Sequence, residues 1–419
     1  MQVNPERRAW YILLGSFLIF LLLCGLVLYG AQWFVFRSTV PMRVDLAVAR
    51  GTVQVLPPNT GDSIAVVDIR TELDPGTVIQ TDSTSQATLT FEDSTTGNQL
   101  AALVIYRDSR IEIVQARQPR FRFNVAPARV QIQVLGGRAE LEVFETSEQQ
   151  RTMMVETDYA TATTQYPGQY QIEANAAWSR VSVPEGQIQI VKTQGGGAIT
   201  LVAGQTIQIN QDATSPLVMS LQESLADNGE FGGSYLDMWQ FYNDTETDPP
   251  GTTYPDVVDG RNVAVLDRSQ SNWPGIQLGH GETGLEQSLN VSMANYNFLE
   301  IRANFLVAEQ SLSTCGQRGS ECPVMLRLEY VDTQGVERTY ITGFYAFHDP
   351  GVAWPVACDT CRTEHERINL NSWYTYESGN LMDRLPAEQR PATLTSIRVY
   401  ASGHAYKVFL TSVELIVSK

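Results

Sequence analysis

The chain has 419 residues and a formal net charge of −17, from 46 acidic side chains against 29 lysines and arginines. This balance excludes a nucleic-acid footprint, which needs a basic face, and the only lysines, Lys192, Lys407 and Lys419, form no cluster for an anionic headgroup or polyphosphate. Beyond the first apolar stretch about 380 residues remain, enough for two or three domains.

Residues 10–36, WYILLGSFLIFLLLCGLVLYGAQWFVF, carry no charged side chain. As a helix they extend about 40 Å, more than the roughly 30 Å hydrocarbon core, so the stretch reads as a single transmembrane helix with room to tilt. Trp10 and Tyr11 at one end and Trp33 at the other fall where aromatic belts meet the headgroups. A cleaved signal peptide has an apolar region of only about 7–15 residues, which this one exceeds. Arg7 and Arg8 precede the span while Arg37, Arg43 and Arg50 follow it, so basic residues alone do not orient it. The short tail 1–9 with its arginine pair has the form of a signal anchor. A cytoplasmic tail, a plasma-membrane span at 10–36 and extracytoplasmic residues from 37 onward are therefore expected.

Residues 37–210 form a succession of short alternating runs, among them RIEIV, RVQIQVL, RAELEVF and GQIQIV. Apolar residues at every second position, punctuated by Gly and Pro, predict half-buried strands. The order ARGTVQV, LDPGTVIQTDSTSQATLTFED, SRIEIV, VLGGRAELEV, VETDYATATTQYPGQYQIE, SVPEGQIQIV and VAGQTIQI resembles the FecR domain. Gly76, Thr81, Gly168, Glu185, Gly186, Gly204 and Gln205 fit its pattern, and STTGNQLAALVIY stands as an insertion where that family has a short turn. The resemblance implies an all-β domain of the bacterial cell envelope. Its regulatory members carry a cytoplasmic domain that engages a sigma factor; here MQVNPERR precedes the span, too short to fold, so direct sigma-factor regulation is not expected.

Between 211 and 260 there are ten acidic residues and no basic one, with a Pro/Gly-rich centre, and 211–226 reads as an acidic linker. From 227 the stretch DNGEFGGSYLDMWQFYND resembles the first strand of galactose-binding-like, carbohydrate-binding-module-type sandwiches. The runs NVAVLDR, FLEIRANFLVA, PVMLRLEYVD, ERTYITGFYAF, TLTSIRVYASG and KVFLTSVELIV follow at strand length, and EYVDTQGVERTYI predicts a hairpin turning at Gln334–Gly335. The expected fold is thus mainly β: an N-terminal transmembrane helix, a FecR-like all-β domain, and a jelly-roll β-sandwich over 227–419. Modules of this resemblance often hold a structural calcium, for which Asp237, Asp244, Asp256 and Asp259 are the available carboxylates, without EF-hand spacing.

Cys24 lies within the span as an apolar filler, and Cys315, Cys322, Cys358 and Cys361 fall in the last quarter of the chain. CDTCRTEH offers Cys358, Cys361 and His365 as three zinc ligands, with Cys315 or Cys322 as a fourth. Two structural disulfides fit an extracytoplasmic location better; the pairing 315–322 with 358–361 is expected, with cross-pairing as the alternative, and no metal. The histidines 280, 348, 365 and 404 read as solvated or hydrogen-bonded turn residues, and no nucleophile motif accompanies them, so no enzyme is expected. Trp354, Trp373, Tyr374 and Tyr376 lie in loop-like contexts beside the cysteines and are the candidate stacking platform for a sugar, against the alternative of ordinary core packing. The expected function is a membrane-anchored, non-enzymatic binding or scaffold protein of the cell envelope. Its expected partners are the membrane, a glycan or an envelope protein, and no nucleic acid; a carbohydrate receptor, or a sensor working through a separate membrane partner, is the alternative.

Overall fold

The computed structural model describes the chain apart from residues 1–4, 59, 122–123, 125, 146–149, 194, 196, 211–216, 221, 246, 248, 273–278 and 419. Pro5–Arg37 is one helix. Its stretch Ala9–Arg37 is long and apolar enough to cross a membrane, and none of its most apolar window is buried against the rest of the chain. Trp10, Tyr11 and Trp33 are exposed, and the 23 positions between the two tryptophans set them about 35 Å apart along a helix axis, close to the thickness an apolar span must match.

Thr39 to Ser220 form a first module of eighteen short strands in a closed arrangement. The alternation seen in sequence is the alternation of burial: Arg151–Glu156, Ala160–Thr164 and Gly168–Ala174 each bury every second residue. One long strand, Ala128–Val143, belongs to both halves of the module. Its first part pairs with Arg110–Pro119 and, in parallel, with Arg151–Glu156; its second part pairs with Gln99–Ile105 and Gly168–Ala174. The change of partners occurs at Gly136–Gly137. Gly137 has φ 86°, and a Cβ there would stand 2.5 Å from Ser109 Cα, so only glycine lets the strand turn the corner. Within STTGNQLAALVIY, Gln99–Ile105 is a buried strand between Gln86–Glu92 and Ala128–Val143, because six of its seven residues are apolar or small enough to be covered on both faces.

The second module is a sandwich of two six-stranded sheets. One runs Thr252–Val258, Arg261–Asp267, Tyr406–Ser418, Phe298–Gln310, Tyr374–Glu377, with Glu223–Ser224 also paired to Tyr406–Ser418. The other runs Gln240–Thr245, Gly281–Ser292, Pro391–Gly403, Val324–Asp332, Glu337–Tyr345, Glu366–Arg367. Every pairing is antiparallel except the last. The hairpin expected at Gln334–Gly335 is present, with Gly335 at φ 79°. The core between the sheets includes Leu285, Leu299, Phe305, Leu326, Phe344, Ile397 and Leu415.

Two boundaries differ from the sequence reading. Residues 211–216 and 221 of the expected 211–226 linker lie outside the described residues, but Leu217–Ser220 pairs with Gln205–Asn210 and Glu223–Ser224 with the C-terminal strand. Acidic composition therefore conceals two short strands that close the two modules. The segment 227–239 is not a strand but a turn with a short 3-10 helix at Tyr235–Asp237. Trp239 is fully buried at its end, donating from Nε1 to the carbonyls of Asp227 and Asn228, both at 3.1 Å.

The modules are docked face to face. Gln86 donates to the Thr375 carbonyl at 3.2 Å and accepts from its N–H at 2.9 Å, reproducing a strand pairing with one side chain. Asn369 donates from its side chain to the carbonyls of Val48 and Val67 and from its backbone to Ala49. Arg50 pairs with Glu366, Arg138 with Glu377 at 2.5 Å, and Arg261 with Glu142 at 2.6 Å. Arg302, on the sandwich itself, completes the group with a 3.1 Å contact to Glu377.

Candidate binding face and cysteine cluster

Of the two readings of the aromatic set, sugar platform or core packing, the second holds for most of it. Trp373, Tyr374 and Tyr376 are 7%, 6% and 4% exposed. Trp373 Nε1 donates to Asp259 Oδ2 at 2.8 Å, and the Arg261 guanidinium lies 4.8 Å from its ring centre at the module boundary. Tyr374 donates to Glu366 at 2.5 Å, and the Tyr376 and Tyr340 hydroxyls share a 2.9 Å hydrogen bond within the core. The reason is that 374–377 is a strand, not a loop, paired with Phe298–Gln310. Three of the four candidates thus have no ring face for a ligand, and Trp354 alone is half-exposed, in the segment leading to Cys358.

The four aspartates considered for calcium lie on separate elements, and Asp259 is engaged by Trp373. Among the described residues, the groups of potential ligand atoms lying within 4.8 Å of one another are Cys315, Cys322, His365 and Cys358, Cys361, His365. None of the aspartates belongs to them.

Two disulfides are present, Cys315–Cys322 and Cys358–Cys361. They flank His365, which is 5% exposed, so of the two expected roles, solvated or hydrogen-bonded, it has the second. Its Nε2 lies 2.6 Å from the Gly319 carbonyl and 3.8 Å from Cys361 Sγ. Burial pushes the imidazole below its ordinary value and the Gly319 carbonyl only partly offsets this, so the ring is neutral. His280 and His348, by contrast, sit in turns, bonded to Glu321 and Thr314.

The sequence reading missed the outer face of the second sandwich sheet. Register places Tyr242, Gly284, Tyr400, Met325 and Gly343 in one row across it, and Gln240, Glu286, Arg398, Arg327 and Ile341 in the next. A Cβ on Gly284 would stand 2.7 Å from Cε1, Cζ and the hydroxyl of Tyr242, so the phenol ring lies across the sheet on the bare glycine. The Tyr242 hydroxyl donates to Glu282 at 2.8 Å. Beside it runs a charge ladder: Glu286–Arg398 at 3.1 Å, Arg398–Glu329 at 3.8 Å and Arg327–Glu329 at 2.9 Å. Burial, then the Glu282 carboxylate, pushes the Tyr242 hydroxyl far above its ordinary value, so it stays a donor. The signal available in sequence was Gly284 within GETGLEQS and Gly343 within YITGFY, since a strand glycine marks close approach of another group. Chemically the face offers one half-buried tyrosine ring, with the Arg398 guanidinium 5.8 Å from its centre, bordered by fixed donors and acceptors.

No family model matches the chain, and no curated protein matches it. Solved structures that resemble it in part include an anti-sigma factor described as putative from Parabacteroides distasonis ATCC 8503, at 14% identity and TM-score 0.26 over 34% of this chain. The chain spans 59% of that structure. The family 11 carbohydrate-binding module of the cellulosomal cellulase Lic26A-Cel5E of Clostridium thermocellum aligns at 13% identity and TM-score 0.27, over 47% of this chain and 95% of its own. The module TmCBM61, solved with beta-1,4-galactotriose, aligns at 11% identity and TM-score 0.26, over 47% of this chain and 99% of its own. None reaches a TM-score that bears on this chain's family or activity.

Proposed function

We propose that this chain is a membrane-anchored, extracytoplasmic and non-enzymatic binding protein whose two β modules form one arm, with the outer face of the second sandwich sheet as its ligand surface. The observation that carries this reading is the asymmetry of the sandwich. One sheet has its outer face covered by the first module through Gln86, Arg138 and Glu142. The opposite sheet carries only the cysteine loops over its Met325–Gly343 end among the described residues, and beside them it presents Tyr242 with the Glu286–Arg398–Glu329–Arg327 ladder. An apolar ring face with paired charges at its rim suits a saccharide, whose C–H face stacks on the ring while its hydroxyls exchange hydrogen bonds with carboxylates and guanidinium groups.

Glycan-array screening of the full chain in detergent, followed by calorimetry on hits, tests the assignment. Tyr242→Ala is expected to weaken binding at least about tenfold, the scale of a single lost aromatic contact, while Trp373→Ala at the opposite sheet leaves the affinity of the folded fraction unchanged. A blank array, or a hit with equal affinity in Tyr242→Ala, removes this face from the ligand site.

A further inference from the structure

Gly343 lies within the strand Glu337–Tyr345, opposite Met325. A Cβ on this glycine would stand 2.5 Å from Cys322 Sγ, 2.6 Å from Met325 Sδ and 2.7 Å from His365 Nδ1. Three soft or borderline donors from three segments therefore converge on the space above a residue with no side chain. Cys315 Sγ, bonded to Cys322, belongs to the same cluster, within 4.8 Å of the other cysteine sulfur and the imidazole. Cys315 and Cys322 are fully buried and Met325 is nearly so.

His365 is already oriented as a ligand. The Gly319 carbonyl can only accept, so Nε2 carries the proton and Nδ1 presents its lone pair. That Nδ1 is buried and has no hydrogen-bond partner. A ring N–H fixed on a backbone carbonyl, with the other nitrogen free, is the arrangement that holds a metal-bound histidine in place. A buried imidazole nitrogen normally has a hydrogen-bond partner, so this one calls for an explanation.

We propose that opening the Cys315–Cys322 disulfide turns the space above Gly343 into a site for a thiophilic d10 cation, Cu(I) or Zn(II), held by both cysteine sulfurs, His365 Nδ1 and Met325 Sδ. Thiolate, thioether and imidazole donors select this class of ion. The opening requires an external dithiol. Its thiolate attacks one sulfur, the S–S bond breaks, and its second thiol resolves the mixed disulfide, so the reagent leaves oxidised and the chain gains two thiols. Binding of the cation then displaces their two protons. The Cys358–Cys361 pair stands on the Nε2 side of the ring and takes no part.

Cys315→Ala in the full chain, with Cys358–Cys361 intact, leaves Cys322, Met325 and His365 as a permanent three-donor set and needs no reduction. In detergent this variant is expected to retain one equivalent of Cu(I) against a chromophoric chelator, with sulfur and a single nitrogen in its X-ray absorption shell. Adding His365→Gln weakens both Cu(I) and Zn(II) by about tenfold or more, whereas adding Met325→Leu weakens Cu(I) more than Zn(II), for which a thioether is the poorer donor. Wild type reduced by a phosphine and refolded with the metal, its five thiols verified by mass, takes up the same equivalent, as does Cys358→Ser/Cys361→Ser. This second preparation decides the matter if Cys315→Ala does not fold. No uptake by either preparation, uptake unchanged by His365→Gln, or uptake abolished by Cys358→Ser/Cys361→Ser overturns the proposal.

Discussion

Trp239 shows how one residue fixes the entry to the sandwich. It packs on Phe231, with ring centres 5.4 Å apart, and its indole nitrogen closes the Asp227–Asn228 turn. Trp239→Ala is expected to cost about 3–5 kcal/mol, the range for emptying a large buried aromatic site. Trp239→Phe keeps most of the packing, leaves the two carbonyls unmet, and costs about 1–3 kcal/mol. Chemical denaturation of both variants by near-ultraviolet circular dichroism checks the order; equal loss in the two would mean that the hydrogen bonds, not the packing, hold this turn. The apolar character of DNGEFGGSYLDMWQFYND was legible in sequence, but its conformation was not. Phe231 adopts φ 53°, a turn geometry no alternation pattern encodes. Trp373 illustrates the reverse case: an aromatic in NSWYTYESGN looks like a platform until its partners Asp259 and Arg261, more than a hundred positions away, are placed against it.

At the scale of elements, the edge strand Tyr374–Glu377 joins the modules as well as ending its sheet. Burial pushes the Glu377 carboxyl upward, but Arg138 from the first module and Arg302 from the neighbouring strand more than offset this and hold it below the usual range. Glu377→Gln therefore leaves two guanidinium groups facing each other in a half-buried seam. Removing one partner of such a group typically costs about 3–5 kcal/mol, here expressed as loosening of the docked face. Hydrogen exchange in the variant should rise in Tyr374–Glu377 and Ala128–Val143 while Gly281–Ser292 on the far sheet stays protected. A uniform rise across both sandwich sheets would show that the seam does not open separately. Strand existence was readable from alternation in almost every run, whereas Gln99–Ile105 shows none, because a strand covered on both faces loses its period of two.

The whole molecule carries a pH dependence in the narrow cavity between its modules, lined by Glu140, Glu142, Glu230, Arg261, Arg302 and Glu414. Burial pushes Glu414 from an ordinary 4.5 up to about 7; Arg302 opposes this, and Glu140, Glu230 and Glu300 reinforce it. Burial likewise raises Glu142, Glu230 and Glu300, the first against Arg261. Between these values the folded chain holds a proton that the unfolded chain releases. The contribution is thus complete below the ordinary value and is lost as pH rises through about 7. Thermal stability is expected to fall between about pH 4.5 and about pH 7 and to level off above that, and Glu414→Gln, which keeps the neutral form, should flatten that slope. Glu377, with its depressed value, works in the opposite sense, losing its stabilising charge only in more acidic solution. A wild-type slope unchanged in Glu414→Gln would assign the dependence to other groups.

The sequence by itself determined what depends on local order: an apolar helix from charge-free residues, strands from alternation, and a turn from Gln334–Gly335; it favoured the pairing 315–322 with 358–361 but left cross-pairing open, and the structure decided it. Tertiary structure decided what depends on distance: which sandwich face is covered, that His365 lies between two disulfides, that Tyr242 rests on Gly284, and that Trp373 and Tyr376 are buried. Those contacts join residues tens to hundreds of positions apart, and side-chain periodicity carries no information about which of two equally patterned sheet faces another module will occupy.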